Sequence, residues 1–217
     1  MKFEEFVKTV KNLPVIDTEL LLSGVSNSAG IKVQITRWLK SGKLVQLKRG
    51  VYLLAEPYVK VDTPASHVAL VLKEPSYISL EKALEFHGLI PEAVKVYTCV
   101  TTKRAARFVN SVGDFDYRHI QRSLFWGYKS INSKKQTAFM ATAEKALLDL
   151  FYLKHINVNL DYLKELRLQN CENINMKRLF EYAQRFKKPS MLRYAKTIAD
   201  YLKDYKDGEK ILSKTMF

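Results

Sequence analysis

Eight polar and basic side chains between residues 27 and 49 have the types and spacing needed to bind nucleic acid. Lysine and arginine neutralise phosphates and donate hydrogen bonds to guanine, while hydroxyl and amide side chains bond to bases or to the backbone. The set comprises Asn27, Ser28, Lys32, Thr36, Arg37, Lys40, Lys48 and Arg49. We predict that these residues form a DNA-binding site.

The local charge of this stretch favours the same prediction. Between Glu19 and Glu56 the sequence has six lysines and arginines and no acidic residue, so its local net charge is +6. The whole chain of 217 residues carries a formal net charge of +14. A surface of this sign attracts phosphate through counterion release, although an anionic membrane surface would also fit.

The elements that would position these side chains are predicted by the same stretch. Asp17 and Thr18 are good N-cap residues before a short apolar run, and a polar turn then leads to a second helix that ends near Ser41. Two short apolar strands at residues 44–47 and 51–54 enclose a tight basic turn. Helix, turn, helix and a two-stranded wing follow each other in the order of a winged helix-turn-helix.

The second of these helices is predicted to have one packed side and one exposed side, at about 100° per residue. The side expected to pack on the preceding helices holds Ile31, Ile35, Trp38 and, at its edge, Leu39. The opposite side, which is expected to enter a major groove, holds Lys32, Val33, Thr36, Arg37 and Lys40. Gly42 is placed to cap the helix in a left-handed conformation, and Gly50 to allow the turn at the wing tip.

Composition sets bounds on the remaining possibilities. Hydrophobic residues make up 47% of the chain and charged residues 27%, which is typical of a soluble globular protein with one or two domains. No apolar run approaches the roughly 20 residues of a membrane-spanning helix, and the amphipathic N-terminus does not resemble a signal peptide. Cys99 and Cys171 lack metal-ligand spacing, which predicts reduced thiols in the cytoplasm.

The sequence predicts an α+β protein with two domains. We expect a winged helix-turn-helix over residues 1–58 and a mixed α/β domain with a helical C-terminus over residues 64–217, joined by a proline-bounded linker. The predicted strands of the second domain are residues 94–101, 113–120, 124–131 and 137–140. The predicted helices are residues 2–13, 65–72, 142–153, 160–169, 175–187 and 190–205, with one more between its cap Ser79 and Gly88. The strongly apolar helix capped by Thr142 is expected to be central.

Six short patterns occur in an order that resembles one family. They are LKRGVYLL, PSYISLEKALEFHGLIPE, VTTKR, FDYRHI, LFWGY and ATAEKALLDLFYL. In this order they resemble the AbiEi-type antitoxins of type IV toxin–antitoxin systems, over about residues 18–153. One departure is Ala143, where the family usually has proline. Proline at the first helical position only pre-organises a helix, so alanine keeps the helix at little cost.

The resemblance implies a role for each domain. The winged helix would bind inverted repeats in double-stranded promoter DNA and repress its own operon. The second domain would counter a cognate nucleotidyltransferase toxin without requiring a stable complex. The protein would act in the cytoplasm as a monomer or homodimer, with no membrane partner, cofactor, metal or catalytic residue. Two alternatives remain open, a stand-alone regulator with a ligand-sensing or dimerisation domain and a nucleic-acid-processing enzyme.

Enzymatic motifs are scarce in this sequence. The four histidines lack the spacing of a helical metal site, and there is no HExxH, CxxC, P-loop or GxSxG pattern. A metal-dependent nuclease would need clustered carboxylates with a lysine, and a nucleotidyltransferase would need a Gly-Ser turn followed by paired acids. This sequence shows neither pattern. These observations favour a protein that is not an enzyme.

Several other residues allow a structural or a functional interpretation. Glu81, Glu144 and Asp149 could contact a toxin, but helix N-terminal charges and a Lys145–Asp149 pair at i,i+4 explain them as well, and we favour that explanation. The aromatic run 125–128 is interpreted as core rather than as a platform for bases. The strand residues Tyr117, Arg118 and His119 are interpreted as alternately exposed rather than as nucleic-acid contacts, and His87 as a helix-end contact.

Overall fold

The computed structural model describes residues 1–23 and 28–215, and the side chains of residues 1–23 and 29–203. Within this part of the chain, helices combine with two sheets in a mixed α+β structure, as the sequence predicts. A three-stranded sheet belongs to the first 59 residues, which we call the N-terminal unit. A six-stranded sheet belongs to the rest, which we call the second unit.

The N-terminal unit contains three helices and a small antiparallel sheet within its described residues. Its elements are α1 (Phe3–Val10), β1 (Ile16–Asp17), α2 (Thr18–Leu21), α3 (Ser28–Lys40), β2 (Leu44–Lys48) and β3 (Val51–Leu54). The strand order is β1-β3-β2, so β3 lies in the middle. The predicted helices and the predicted hairpin are therefore present with bounds close to those expected.

Local signals account for these element boundaries. Asp17 caps α2, since its carboxylate accepts hydrogen bonds from the backbone N–H of Glu19 at 2.8 Å and of Leu20 at 3.4 Å. Gly42 after α3 and Gly50 in the hairpin turn have φ angles of +69° and +84°. Both glycines thus occupy the left-handed region, as predicted, where a side chain would be strained.

Aromatic rings and aliphatic side chains fill the core of the N-terminal unit. The ring centre of Trp38 on α3 lies 5.2 Å from that of Phe3 and 4.8 Å from that of Phe6, both on α1. Ile35 and Trp38 are buried, which confirms the predicted packed side of α3. The buried members of this core are Phe3, Phe6, Val10, Ile16, Ile35, Trp38, Leu44 and Leu54.

The second unit begins at α4 and ends in a series of helices. Its elements up to the central helix are α4 (Ala65–Leu72), β4 (Ser76–Ile78), α5 (Leu80–Phe86), β5 (Val96–Thr101), β6 (Ala106–Asn110), β7 (Gly113–His119), β8 (Tyr128–Ser133), β9 (Gln136–Ala141) and α6 (Ala143–Lys154). The helices that follow are α7 (Leu160–Glu165), α8 (Met176–Arg185) and α9 (Pro189–Thr215). The sheet has the order β6-β7-β5-β4-β9-β8.

Helix α6 lies at the centre of the second unit, as predicted. Thr142 caps it by accepting a hydrogen bond from the backbone N–H of Lys145 at 3.3 Å. Residues 143–151 are all buried, because α5, α8 and the sheet surround them. The C-terminal helices α7, α8 and α9 pack on this centre and on each other, which confirms a helical C-terminal region.

Three parts of the sheet were not predicted correctly. Strand β4 was missed because it has only three residues, all buried between β5 and β9, and such a short run carries no periodicity. Strand β6 was missed because Arg107 and Asn110 make it a polar edge strand. The strand expected from residue 124 starts only at Tyr128, after a 3-10 turn at Arg122–Leu124.

The β2–β3 hairpin also packs against the second unit. Leu47 and Val51 are buried within the larger hydrophobic core of that unit. The Lys48 ammonium donates a hydrogen bond to the carbonyl of Leu72 at 2.8 Å, and the Asn110 amide donates one to the carbonyl of Leu47 at 3.3 Å. One side of the hairpin therefore packs against α4 and β6.

Candidate nucleic-acid interface

The outer side of α3 is an exposed surface of mixed basic and small side chains. The predicted residues Lys32, Val33, Thr36, Arg37 and Lys40 are all exposed. Within the described residues, none of these cations forms an ion pair with a carboxylate, whereas nine other cations of the chain do. The positive charge on this side of the helix is therefore not neutralised internally.

A groove of about 820 Å³ separates α3 from the hairpin turn. Lys32 and Thr36 line one wall, and Arg49 and Tyr52 line the other. Arg37 and Lys40 lie on the exposed side of α3 outside the groove lining. The helix face and the turn thus border one common concave surface, although Glu19 adds a single acid to its lining.

Among the predicted site residues, Lys48 is placed differently from expectation, and Asn27 and the side chain of Ser28 fall outside the described residues. The Lys48 ammonium is held by the carbonyl of Leu72, so this side chain points toward the second unit rather than outward from the turn. Ser28 is the first residue of α3, and its side chain lies outside the described residues. Asn27 lies outside them altogether.

The hairpin turn is fixed from the side of α2. Both the backbone N–H and the hydroxyl of Thr18 donate hydrogen bonds to the carbonyl of Gly50, each at 2.9 Å. Thr18 is buried, so water competes little for these bonds. Arg49 is consequently carried by a turn of defined position relative to α2.

Lys73 lies near Lys48, at the turn end of the hairpin, and also near Lys103. Burial and the nearby charges of Lys103 and Lys48 lower the pKa of Lys73 from its ordinary value. The pairing of Ser76 with Thr101 brings the segments that carry Lys73 and Lys103 together. Sequence patterns do not predict this cluster, because residue 48 comes near residue 73 through the packing of the hairpin on α4, and residue 103 comes near it through the pairing of β4 with β5.

No protein-family model matches the chain, and no curated protein sequence is similar enough to match it.

A second group of reactive residue types lies inside the second unit. Lys145 and Asp149 on α6 form an ion pair, and both side chains are fully buried. Asp149 also accepts hydrogen bonds from the hydroxyls of Tyr77 at 2.9 Å and Ser79 at 2.8 Å. The predicted Lys145–Asp149 pair is confirmed, and Ser79, which was expected to cap α5 with its side chain, bonds to Asp149 instead.

Aromatic rings enclose the Lys145 ammonium. Its nitrogen lies 4.7 Å from the ring centre of Trp126 and 4.9 Å from that of Phe186. Burial lowers the pKa of Lys145, and the Asp149 carboxylate opposes this effect. Burial and the same carboxylate raise the pKa of Tyr77 well above its ordinary value. Since the Lys145, Asp149 and Tyr77 side chains lie out of contact with solvent, the group joins β4 to α6 rather than offering a site to a substrate.

The remaining candidate residues have structural contacts. Glu144 is buried and accepts a hydrogen bond from the backbone N–H of Asn175 at 2.8 Å, while Glu81 pairs with Lys154. Trp126 is only 8% exposed, which confirms its place in the core. Tyr117 is fully buried, so the expectation that it would be exposed beside Arg118 was wrong. His87 ends α5 and bonds through Nε2 to the carbonyl of Ala141, as a helix-end contact would.

Two features are absent from the part of the chain that the structure describes. Histidine, cysteine, aspartate and glutamate side chains do not gather there in groups of three or more that could hold a metal ion. Among the helices of this part, none has the length and apolar composition required to cross a membrane.

Proposed function

We propose that this protein is an antitoxin and transcriptional autorepressor of a type IV toxin–antitoxin operon. In this proposal the N-terminal unit is a winged helix-turn-helix that binds inverted repeats in promoter DNA, and the second unit counters a nucleotidyltransferase toxin. The DNA-binding half is supported chiefly by one observation, the exposed cationic side of α3 that borders a groove shared with the hairpin turn.

The dimensions of the elements suit this mode of binding. The major groove of B-DNA admits one α-helix. Helix α3 has thirteen residues, and its outer side carries hydrogen-bond donors and small side chains. With α3 in the groove, the Arg49 turn would lie beside the phosphate backbone. Lys48 would contribute only long-range charge, because its ammonium is already hydrogen-bonded to Leu72.

The antitoxin half is supported by the resemblance of the second unit to AbiEi-type antitoxins. Two of the patterns that carry this resemblance, PSYISLEKALEFHGLIPE and ATAEKALLDLFYL, fall on β4, α5 and α6. These elements supply the buried Lys145–Asp149 group, which is a structural reason for such patterns to occur together.

Gel shifts on the DNA upstream of the gene test the DNA-binding half. Arg37→Ala should weaken binding by about 1–3 kcal/mol if the guanidinium contacts a base. Arg49→Ala should weaken binding to all sequences and reduce the slope of log affinity against log salt by about 1. Arg122→Ala, which removes an exposed arginine of the second unit, is the matched control. Unchanged affinity in both test variants would refute this docking mode.

Co-expression in cells tests the antitoxin half. If a nucleotidyltransferase is encoded beside the gene, the full chain should restore growth to cells that express that enzyme, and Arg37→Ala should restore growth equally well. If the full chain binds its operator but does not rescue growth, the alternative of a stand-alone regulator replaces the antitoxin assignment.

A further inference from the structure

An apolar side chain occupies the middle of the cationic side of α3. Val33 is 53% exposed, and it lies between Lys32 and Arg37 on the helix surface. At about 100° per residue, Ala29, Val33, Thr36 and Lys40 form the centre of this side, and Lys32 and Arg37 form its two borders. Ala29, Val33 and Thr36 thus form a strip of small side chains along the helix, which ends at Lys40 and is bordered by Lys32 and Arg37.

Thr36 extends this strip with a methyl group. Its hydroxyl donates a hydrogen bond to the carbonyl of Lys32 at 3.1 Å, within the same helix. The hydroxyl proton is therefore used inside α3, and the side chain offers its neighbours a methyl group and an acceptor. Ala29, one helical turn before Val33, is also exposed.

We infer that Val33 selects thymine in the operator through van der Waals contact with the thymine C5-methyl group, with Thr36 and Ala29 as the adjacent apolar contacts. This inference rests on the DNA-binding function proposed above. In the major groove, thymine is the base that presents a methyl group, and small apolar side chains are its usual contacts. Cytosine presents an amino group instead, which Val33 cannot satisfy.

The surrounding charges explain why Val33 would come close to bases rather than to phosphates. Lys32 and Arg37 border the strip on both sides, so hydrogen bonds from these cations to base edges or phosphates on either side keep the strip over the groove floor. Isolated exposed apolar residues are common on protein surfaces and need no explanation. Val33 differs from them because it is flanked on its own helix by cations that form no ion pair with any described carboxylate, and these cations direct this surface toward a polyanion.

Replacement of thymine by deoxyuridine tests the inference, because it removes the C5-methyl group and keeps the base-pairing atoms. The upstream DNA is prepared with dTTP or with dUTP, and the affinity of the full chain is measured on both duplexes. Wild type should lose at least about fourfold in affinity on the uracil duplex, which is the value of one buried methylene group. Val33→Ala should bind the thymine duplex less tightly and show little difference between the two duplexes.

A matched control variant separates this effect from general changes. Val109→Ala makes the same substitution at another exposed valine, on β6, and should retain both the wild-type affinity and the wild-type preference for thymine. Equal thymine preference in Val33→Ala and wild type, with both proteins folded by circular dichroism, would overturn the inference while leaving the DNA-binding function intact. Absence of any preference for the upstream DNA over unrelated duplexes would refute the DNA-binding function itself.

Discussion

At the scale of single residues, the buried Lys145–Asp149 pair shows how a charge is tolerated inside the second unit. Removing an ion from water costs several kcal/mol unless partners replace its hydration. Asp149 has three partners, namely Lys145 and the hydroxyls of Tyr77 and Ser79. The Lys145 ammonium contacts one carboxylate and the faces of aromatic rings. Stabilisation of its buried charge therefore depends more on Asp149 than stabilisation of the Asp149 charge depends on Lys145.

This asymmetry predicts unequal effects of two substitutions. Asp149→Asn should lower the free energy of unfolding by about 3–5 kcal/mol, because it leaves the Lys145 charge buried without a counterion. Lys145→Met should cost less, since the two hydroxyls continue to bond to Asp149. Urea unfolding at neutral pH measures both losses. A larger loss for Lys145→Met would contradict this account of the pair.

The pH dependence of Asp149→Asn follows from the direction of the Lys145 pKa. Burial lowers the pKa of this lysine below its ordinary value of 10.5, and the variant lacks the carboxylate that opposes this shift. Between the lowered pKa and 10.5 the unfolded chain binds more protons than the folded one, so the stability of the variant should rise with pH. As pH decreases from 10.5, the stability of the variant should fall until the lowered pKa is reached, and it should level off below that pKa because both states are then protonated. A flat stability profile of Asp149→Asn between neutral pH and pH 10 would contradict this prediction.

Sequence reasoning found part of this group and missed the rest for a physical reason. The i,i+4 spacing on α6 is a local pattern, and it predicted the Lys145–Asp149 pair correctly. Tyr77 and Ser79 are more than 60 residues away in sequence, and β4 brings them to α6. Spacing within one helix contains no information about a strand that pairs with β5 and β9.

At the scale of elements, the buried side chain of Thr18 is one of the contacts that fix the position of the hairpin turn. Thr18→Val keeps the shape of the side chain and the backbone bond to Gly50, but removes the hydroxyl bond. The stability of the protein should fall by about 1 kcal/mol, as for one neutral hydrogen bond. DNA affinity should fall by less than in Arg49→Ala, because Arg49 remains present but is less well fixed.

Gel shifts and thermal unfolding of Thr18→Val provide these measurements. Thr197→Val is a suitable control, since its hydroxyl donates a hydrogen bond to the carbonyl of Arg193 within α9, and α9 is far from the hairpin in the sequence. DNA affinity in Thr18→Val equal to that of wild type would show that Arg49 is positioned by other contacts.

The elements differ in how well their sequence predicts them. Helix α3 was predicted with both of its sides, because thirteen residues provide more than three helical turns of periodicity. The hairpin was predicted because apolar strands flank a glycine turn. The direction of Lys48 was not predictable, because Leu72, which accepts its hydrogen bond, lies in α4 of the other unit.

At the scale of the whole molecule, the two units share apolar surface through the hairpin. Leu47 and Val51 are 4% and 2% exposed, and they belong to the core of the second unit although their strands belong to the N-terminal sheet. The hydroxyl of Thr63 also donates a hydrogen bond to the carbonyl of Pro14 at 2.6 Å, across the segment that joins the units. The sequence suggested a boundary near residue 58 but contained no local sign of this contact.

These contacts predict that the two units unfold together. The two tryptophans of the chain report on different units, Trp38 on the N-terminal unit and Trp126 on the second unit. Urea transitions followed by fluorescence in Trp38→Phe and in Trp126→Phe should each coincide with the transition followed by circular dichroism in the same variant.

Leu47→Ala should lower the stability seen by both probes by about 2–5 kcal/mol, as expected for a buried leucine. Leu20→Ala, which shortens a leucine that is 78% exposed, should leave both transitions almost unchanged. If Leu47→Ala shifts only the fluorescence of Trp38, the hairpin serves the N-terminal unit alone and the units are energetically independent.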